Sequence, residues 1–308
     1  KILSRNISEN LITSQRFIRE AQAAAQMVHI NIVRILDCGI ENDTLYYAME
    51  YIQNGCTGNK LREKEHWSED DTLAIGQSVC RALEEAQKHN IVHRDIKPDN
   101  IMIANDGLYK LADLGLAKLE SHEHEEGNPA LTGFQIGMGT PHYMSPEQAI
   151  DAKNVDIRAD IYSLGATMFH LATGQLPYPG ANVGAVLRKH AVSAIPDARL
   201  LNPELRIEFS QMLQKCMSKM PEARYQTPKE LEVALNKLRM RFMNDNPVHQ
   251  DTVTDISDQL NQIKYHHSTA TSKGEGRSGQ FSNNHNYQKI IILLIIIIIL
   301  LISIINLP

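Results

Sequence analysis

An α+β chain is predicted, with a small β-containing piece, a larger helical piece and one apolar helix at the C-terminal end. Three observations predict it: two β-type runs near the start, helical apolar spacing from Ser68 onward, and a closing segment of almost pure isoleucine and leucine.

In chain order, Ser14 precedes a segment with Phe17, Ala21, Ala24 and Val28 on one face, the period of an amphipathic helix. Ile32-Val33-Arg34-Ile35-Leu36 and Thr44-Leu45-Tyr46-Tyr47-Ala48-Met49 read as two strands joined by a Glu41-Asn42-Asp43 turn. Ser68 with Asp71 resembles a capping arrangement for a helix through His89, one that buries Ile75, Val79, Leu83 and Ala86. Ile161, Leu164, Met168 and Leu171 set a further helix from about Asp160 to Thr173, stopped by Gly174. Cys80 and Cys216 lie in apolar helical stretches and read as core.

Residues 243–288 are poor in large apolar side chains and rich in Asn, Gln, Ser, His and Asp, a composition that cannot bury enough surface to fold alone. From Ile290 to Ile305 only Ser303 interrupts the apolar run. Extended to Leu307, such a helix is about 27 Å long, enough to cross a bilayer core upright, and it has no polar stripe. Lys264, Lys273, Arg277 and Lys289 against Glu275 place positive charge on its N-terminal side, which assigns that side to the cytoplasm. The expected organisation is a folded domain over 1–240, a polar juxtamembrane linker over 241–288 and a transmembrane helix over 289–307. Dimerisation through that helix is allowed, although it shows no GxxxG face.

Composition narrows the function. The 308 residues carry 43 % hydrophobic and 22 % charged side chains, those of a chain able to bury a core. A net charge of −5 argues against a nucleic-acid partner, whose binding face needs a basic excess. The four cysteines lie far apart with no CxxC pair, which excludes a disulfide scaffold or zinc ribbon and fits a reducing compartment. The alternating His and Glu of Ser121-His122-Glu123-His124-Glu125-Glu126 read as a solvated loop, with no further ligand at metal-site spacing.

The chemistry sits in His93-Arg94-Asp95-Ile96-Lys97-Pro98-Asp99-Asn100, followed downstream by Asp113-Leu114-Gly115. A proline and several polar groups between apolar runs make this a loop, held by a scaffold and available for catalysis. Phosphoryl transfer needs carboxylate and amide oxygens converging on Mg²⁺, a cation on the transferring phosphate and a carboxylate at the attacking hydroxyl. Asp95, Lys97, Asn100 and Asp113 supply those groups.

On these residues the chain resembles the eukaryotic-like serine/threonine protein kinases, in particular the membrane-anchored receptor kinases of bacteria. Further motifs follow in family order. Gly139-Thr140-Pro141-His142-Tyr143-Met144-Ser145-Pro146-Glu147 looks like the substrate-docking loop, Asp160-Ile161-Tyr162-Ser163-Leu164-Gly165 like the start of the central helix, and Arg224 like the arginine that pairs with Glu147. The resemblance implies a bilobal fold, with an N-lobe remnant over 1–52, an incomplete N-lobe sheet and a mainly helical C-lobe over 53–240. It implies transfer of the ATP γ-phosphate to Ser/Thr of proteins, with Mg²⁺ as metal and Mn²⁺ able to replace it.

By the same resemblance, Asp95 accepts the substrate proton, Lys97 neutralises the γ-phosphate and marks Ser/Thr specificity, and Asn100 with Asp113 holds the metal. Lys1 takes the place of the lysine on the ATP phosphates, oriented by Glu20. Adenine would meet the backbone of Glu50 and Ile52, with Met49 as gatekeeper and Met102 beneath the ring. Leu114 stands where the family has Phe and should pack under the Glu20 helix. Thr132 is the candidate autophosphorylation site, and Thr140 bonds Asp95 and Lys97. The glycine-rich phosphate lid should precede Lys1, so the resemblance implies a fragment. If the chain is whole, it implies a catalytically impaired pseudokinase or scaffold. Localisation is expected to be single-pass in a membrane, the bacterial inner membrane, with the kinase domain cytoplasmic.

Overall fold

The computed structural model describes residues 21–22, 24–42, 44–114, 141–151 and 154–245. After helical backbone at 21–22 and 24–25, the order is β1 (Ile35–Glu41), β2 (Thr44–Met49), α1 (Thr57–Glu63), α2 (Glu69–Lys88), β3 (Ile101–Ile103), β4 (Tyr109–Leu111), α3 (Pro146–Ile150), α4 (Ile157–Thr173), α5 (Val183–Val192), α6 (Ile207–Cys216) and α7 (Pro228–Asp245). β1 and β2 form one antiparallel pair, with Glu41 opposite Thr44 across the turn, and β3 and β4 form a second, with Ile101 opposite Leu111. The order is α+β as expected, with a short β-containing stretch followed by a mainly helical one.

The first strand begins at Ile35 rather than Ile32, because the residues before it have another partner. Leu111 N donates to Asn31 O at 2.8 Å, Val33 N donates to Leu111 O at 2.9 Å, and Asn31 Nδ2 reaches Tyr109 O at 2.9 Å. Segment 31–33 thus ties the β1–β2 hairpin to β4. The amphipathic face expected through Val28 is also cut short. Ala21 and Ala24 are buried, but Val28 is 70 % exposed, because the helical backbone stops after residue 25 and Met27 takes the inward place.

The C-terminal piece is built around α4. This helix is enclosed nearly all round: all but two of its residues, Arg158 and His170, are buried. It starts at Ile157, earlier than the apolar spacing suggests, because Asp156 caps it, accepting Arg158 N at 2.9 Å. It ends at Gly174, whose φ of 70° and whose place against Glu65 O, only 2.0 Å from where a Cβ would stand, admit no side chain. α2 lies against α4 and α7. Its N-terminus has the expected cap: Asp71 N donates to Ser68 Oγ at 3.1 Å while Ser68 Oγ donates to Asp71 Oδ2 at 2.8 Å. Leu73, Ile75, Val79, Cys80, Leu83 and Ala86 are buried along one side of it. At the rim of the α2–α7 contact, Arg81 meets Glu232 at 2.7 Å and Arg239 meets Asp70 at 2.9 Å. Cys216 on α6 is buried as expected, and the side of α4 at Gly165 comes so close that a Cβ there would stand 2.5 Å from the Cys216 Cβ.

Among the described residues no helix is long and apolar enough to cross a membrane. The run over 289–307 and nearly all of the linker over 241–288 lie outside the described residues.

Two imidazoles are locked into this core in neutral form. Tyr143 Oη shares a hydrogen bond of 2.7 Å with His170 Nδ1, and Tyr162 Oη one of 2.8 Å with His190 Nδ1. Burial lowers both histidines to about 4, with a contribution from His142 for His170 and from Lys219 for His190. The unfolded chain takes up those protons near the ordinary histidine range, so between roughly pH 6.5 and pH 4 it binds more protons than the fold. Stability should therefore fall with acidification across that window, with a slope of about 1.4 kcal/mol per pH unit for each histidine. Urea unfolding midpoints from pH 7 to pH 4 check this. The slope should flatten in His190→Gln, and a pH-independent midpoint in the parent chain would contradict it.

Candidate active site

The loop 93–100 leaves regular structure, so its backbone groups need partners from elsewhere. Asp160 on α4 supplies two: its Oδ2 accepts His93 N and its Oδ1 accepts Arg94 N, each at 2.7 Å. The carboxylate is fully buried, and burial pushes its carboxyl up from the ordinary range against the opposing pull of His93 and Arg94. Arg94 stands at φ 69°, a left-handed conformation that side-chain-bearing residues rarely adopt. It is gripped on both sides, by Asp160 at its N–H and by Gln148 Nε2, which donates to Arg94 O at 2.7 Å. His93 is completely buried, with Nε2 donating to Ala112 O at 2.8 Å while Nδ1 accepts Asp95 N at 3.2 Å. Those two contacts fix the neutral tautomer with its proton on Nε2.

With the backbone held, side chains alternate. Ile96 points into the core, its carbonyl taken by Thr167 Oγ1 at 3.2 Å, while Asp95 and Lys97 point out together. Lys97 Nζ meets Asp95 Oδ2 at 2.6 Å. Asn100, in the 3₁₀ turn Pro98–Asn100, uses its Nδ2 twice, on Asp95 O at 2.7 Å and Asp95 Oδ2 at 3.0 Å. Among the described hydrogen bonds, Asp95 Oδ1 and Asn100 Oδ1 are left as acceptors. Asn100 O in turn accepts Ala112 N at 2.9 Å, which ties this knot to the residue before Asp113. Asp113 turns at φ 60°, its Oδ1 accepts the Tyr47 hydroxyl, and Leu114 beside it is buried.

The structure thus brings Asp95, Lys97 and Asn100 into one knot and hangs Asp113 from the same frame. The arrangement offers a carboxylate oxygen to an incoming hydroxyl, a fixed cation beside it, and two hard oxygen donors, the Asn100 amide and the Asp113 carboxylate. That donor chemistry suits Mg²⁺ or Mn²⁺. Glu50 and Ile52 lie just after β2, in the connection to α1. Among the described hydrogen bonds none uses the Glu50 carbonyl or the Ile52 amide, backbone groups of the two residues expected to meet adenine. The Glu50 side chain braces the connection. Burial would raise its carboxyl, but Lys110 Nζ at 2.6 Å and Arg34 N at 2.9 Å outweigh that and hold it low. Met102 on β3 bridges to Cys56 beside this connection. Lys1, Glu20, Thr132 and Thr140 lie outside the described residues.

Glu147 and Arg224 pair as the sequence suggests. Arg224 is 2 % exposed and spends all five donors: two on Glu147 at 2.6 and 2.8 Å, and one each on Ser218 O, Arg158 O and Lys219 O at 2.8, 2.9 and 3.0 Å. Its guanidinium also lies over the Tyr162 ring, 4.9 Å from the centroid. Burial acts to raise Glu147, but the guanidinium prevails and holds the carboxyl below its usual range.

Set against known proteins, residues 1–235 match the sequence model of the protein kinase domain. The chain belongs to the protein kinase domain family. Membership in that family implies ATP and a divalent metal. The kinase domain is 33 % identical over 246 residues to a probable serine/threonine-protein kinase of Clostridium acetobutylicum, a match covering 80 % of this chain and 36 % of that protein. It is 34 % identical over 218 residues to the serine/threonine-protein kinase PrkC of Bacillus subtilis, covering 71 % and 33 %. The chain therefore spans about a third of the length of these curated relatives. The solved kinase domain of Mycobacterium tuberculosis PknI shares the fold, with a TM-score of 0.58 at 25 % identity over 77 % of this chain and 84 % of that one.

Sequence reasoning missed three supports of the site. Asp160 reads as the first residue of a helix, whereas it holds the loop. Gln148 and Tyr47 carry no motif at all. An acid within a mainly buried helix, and a tyrosine at an inward strand position, were the available signals.

A lysine at 224 could satisfy Glu147 but not the three carbonyls as well, since it lacks the planar fork. Arg224→Lys should lower unfolding free energy by about 3 kcal/mol, read from urea denaturation at pH 7. A loss under about 1 kcal/mol would show that the pair is ornamental.

Proposed function

We propose that this kinase domain is an ATP-dependent protein serine/threonine kinase that phosphorylates Ser/Thr of protein substrates. The observation that carries the reading is the knot of Asp95, Lys97 and Asn100, built on a loop whose every turn is held from the core. The serine/threonine-protein kinase names of its relatives support the same reading. Asp95 Oδ1 would take the proton of the substrate hydroxyl and aim its oxygen at the γ-phosphorus. The new P–O bond forms as the bond to the β,γ-bridging oxygen breaks and ADP leaves. Lys97, already beside Asp95, would meet the charge on the transferring phosphoryl group. Asn100 Oδ1 and Asp113 would hold Mg²⁺, or Mn²⁺ in its place. The bound metal supplies neutralisation of phosphate charge. Lys1 with Glu20 would hold the ATP phosphates, the backbone of Glu50 and Ile52 the adenine, and Met102 its lower face. Thr140 would join Asp95 and Lys97 at the acceptor, and Thr132 would be the autophosphorylation site.

The finer reading is a membrane-anchored receptor kinase of bacterial type. It places the kinase domain over 1–240, a tether over 241–288 and one membrane-spanning helix over 289–307, with the domain on the cytoplasmic face of the inner membrane. The unbroken apolar run and the basic residues before it support this.

The full chain, given labelled ATP, Mg²⁺ and a generic protein substrate, should place label on Ser and Thr. Asp95→Asn should cut kcat by roughly 10²–10⁴-fold while ATP binding persists. Equal rates in the two chains would overturn the assignment of Asp95.

A further inference from the structure

In the 3₁₀ turn Pro98–Asn100 the outer two residues are buried, and Asp99 between them faces out. α1 lies against this turn. Thr57, fully buried, donates its Oγ1 to Pro98 O at 2.8 Å. Gly58 follows, and a Cβ there would stand 2.4 Å from Asp99 Oδ1 and 3.2 Å from Asp99 N, so the close approach needs a residue without a side chain. One helical turn further along, Arg62 comes over the Asp99 carboxylate. Its Nη1 donates to Asp99 Oδ1 at 3.1 Å and its Nη2 to Asn59 Oδ1. The guanidinium is thus held at both terminal nitrogens.

This pair borders the knot around Asp95. Both share a neighbour in Tyr143, at the end of the short turn Pro141–Tyr143. Burial does most to push the Tyr143 phenol upward, and the charges that act on it are those of Asp99, Arg62 and Asp95. The charges nearby are already matched, except on one side chain. Asp95 has Lys97 at 2.6 Å, and Glu63, next to Arg62 on α1, has Lys60 at 3.3 Å. Asp99 Oδ1 has Arg62, with Cys56 Sγ at 3.7 Å behind it. Arg62 keeps its Nε–H and a second N–H on each terminal nitrogen without a partner among the described contacts. Its side chain is 64 % exposed and that of Asp99 52 %, so the pair is weak and the guanidinium is open to a second carboxylate.

We propose that Arg62 is a specificity-determining residue: its guanidinium, held over Asp99, takes the carboxylate of an aspartate or glutamate that flanks the acceptor serine or threonine. Protein substrates with acidic acceptor segments are then preferred over those with basic ones. The proposal rests on the reading of this chain as a protein serine/threonine kinase with the acceptor hydroxyl at Asp95 Oδ1. A substrate chain placed there lays its flanking side chains against the rim that Arg62 and Asp99 form. Guanidinium suits the task, since its planar fork meets a carboxylate with two parallel N–H groups. Because the contact is exposed, the gain is modest and falls as salt is raised.

The test gives the full chain labelled ATP, Mg²⁺ and a peptide set with a single acceptor serine, identical except for Glu, Gln or Lys at each flanking position in turn. kcat/KM is measured for the parent, Arg62→Gln, Arg62→Glu and Arg62→Lys. At the best position the parent should favour the Glu peptide over the Gln peptide by about 5- to 10-fold, through a lower peptide KM, and KCl should shrink that ratio. Arg62→Gln should abolish the preference, Arg62→Glu should turn it toward the Lys peptide, and Arg62→Lys should keep part of it. Each ratio is taken within one chain, so a general loss of activity cancels, and the Glu and Lys variants serve should Arg62→Gln not fold. A merely structural role for Arg62 would slow all peptides alike and leave the ratio at the parent value, which overturns the proposal. A parent that treats the peptides equally, or favours Lys, also overturns it and leaves the kinase reading intact. No label on any peptide from the parent overturns the reading on which the proposal rests.

Discussion

The site depends on one buried carboxylate. Asp160 lies in a helix with no solvent face, where an anion is costly unless its oxygens are satisfied. Its two oxygens are matched to two amide hydrogens, those of His93 and Arg94, at equal distances of 2.7 Å. Each side of that contact removes a cost from the other. The loop has no sheet or helix partner for those amides, and the carboxylate is closed off from solvent. The left-handed backbone at Arg94 follows from this grip, because both peptide units flanking it are engaged, one by Asp160 and one by Gln148. That turn throws Asp95 outward toward Lys97 and Asn100 and sends Ile96 into the core.

From there the restraint passes by short steps to the other half of the site. His93 accepts from Asp95 N and donates to Ala112 O, and Asn100 bonds both Asp95 and Ala112, so the candidate base and the candidate metal ligand share one rigid frame. Such rigidity matters because in-line phosphoryl transfer is mostly a matter of placement, and a misplacement of about 1 Å can cost 10²-fold in rate. The Glu147–Arg224 pair does for the segment after Tyr143 what Asp160 does for the loop 93–100. It anchors α3 to the carbonyls around α4 and α6 through a side chain with no donor left over.

The candidate catalytic groups were more legible in the sequence than the contacts that hold them. Asp95, Lys97, Asn100 and Asp113 stand at fixed spacing within a short stretch, and the Ser68 cap and apolar period of α2 are local signals. The Glu147–Arg224 pair spans a long stretch of chain, and resemblance rather than physics pointed to it. Where local period and distant pairing compete, the period misleads. Ile32 and Val33 look like strand, yet Ile32 N turns back to His29 O and Val33 N bonds Leu111 O, and Val28 continues a helical face that the backbone has already left. Asp156 is a plain capping residue, and reading it as one moves the start of α4 to Ile157. The roles of Asp160, Gln148 and Tyr47 were illegible for a single reason: each acts on a residue far along the chain, through contacts that no spacing encodes.

The claim that one carboxylate sets the site is tested most directly by Asp160→Asn in the full chain, with amide hydrogen exchange followed by peptide. An asparagine keeps the size and one acceptor but turns an N–H₂ toward one of the two amides, leaving it unpaired. The account predicts exchange about 10- to 100-fold faster in the peptide covering 91–97, with peptides from α2 and α6 unchanged. Unchanged protection at 91–97 would contradict it and would mean that the loop is held without Asp160.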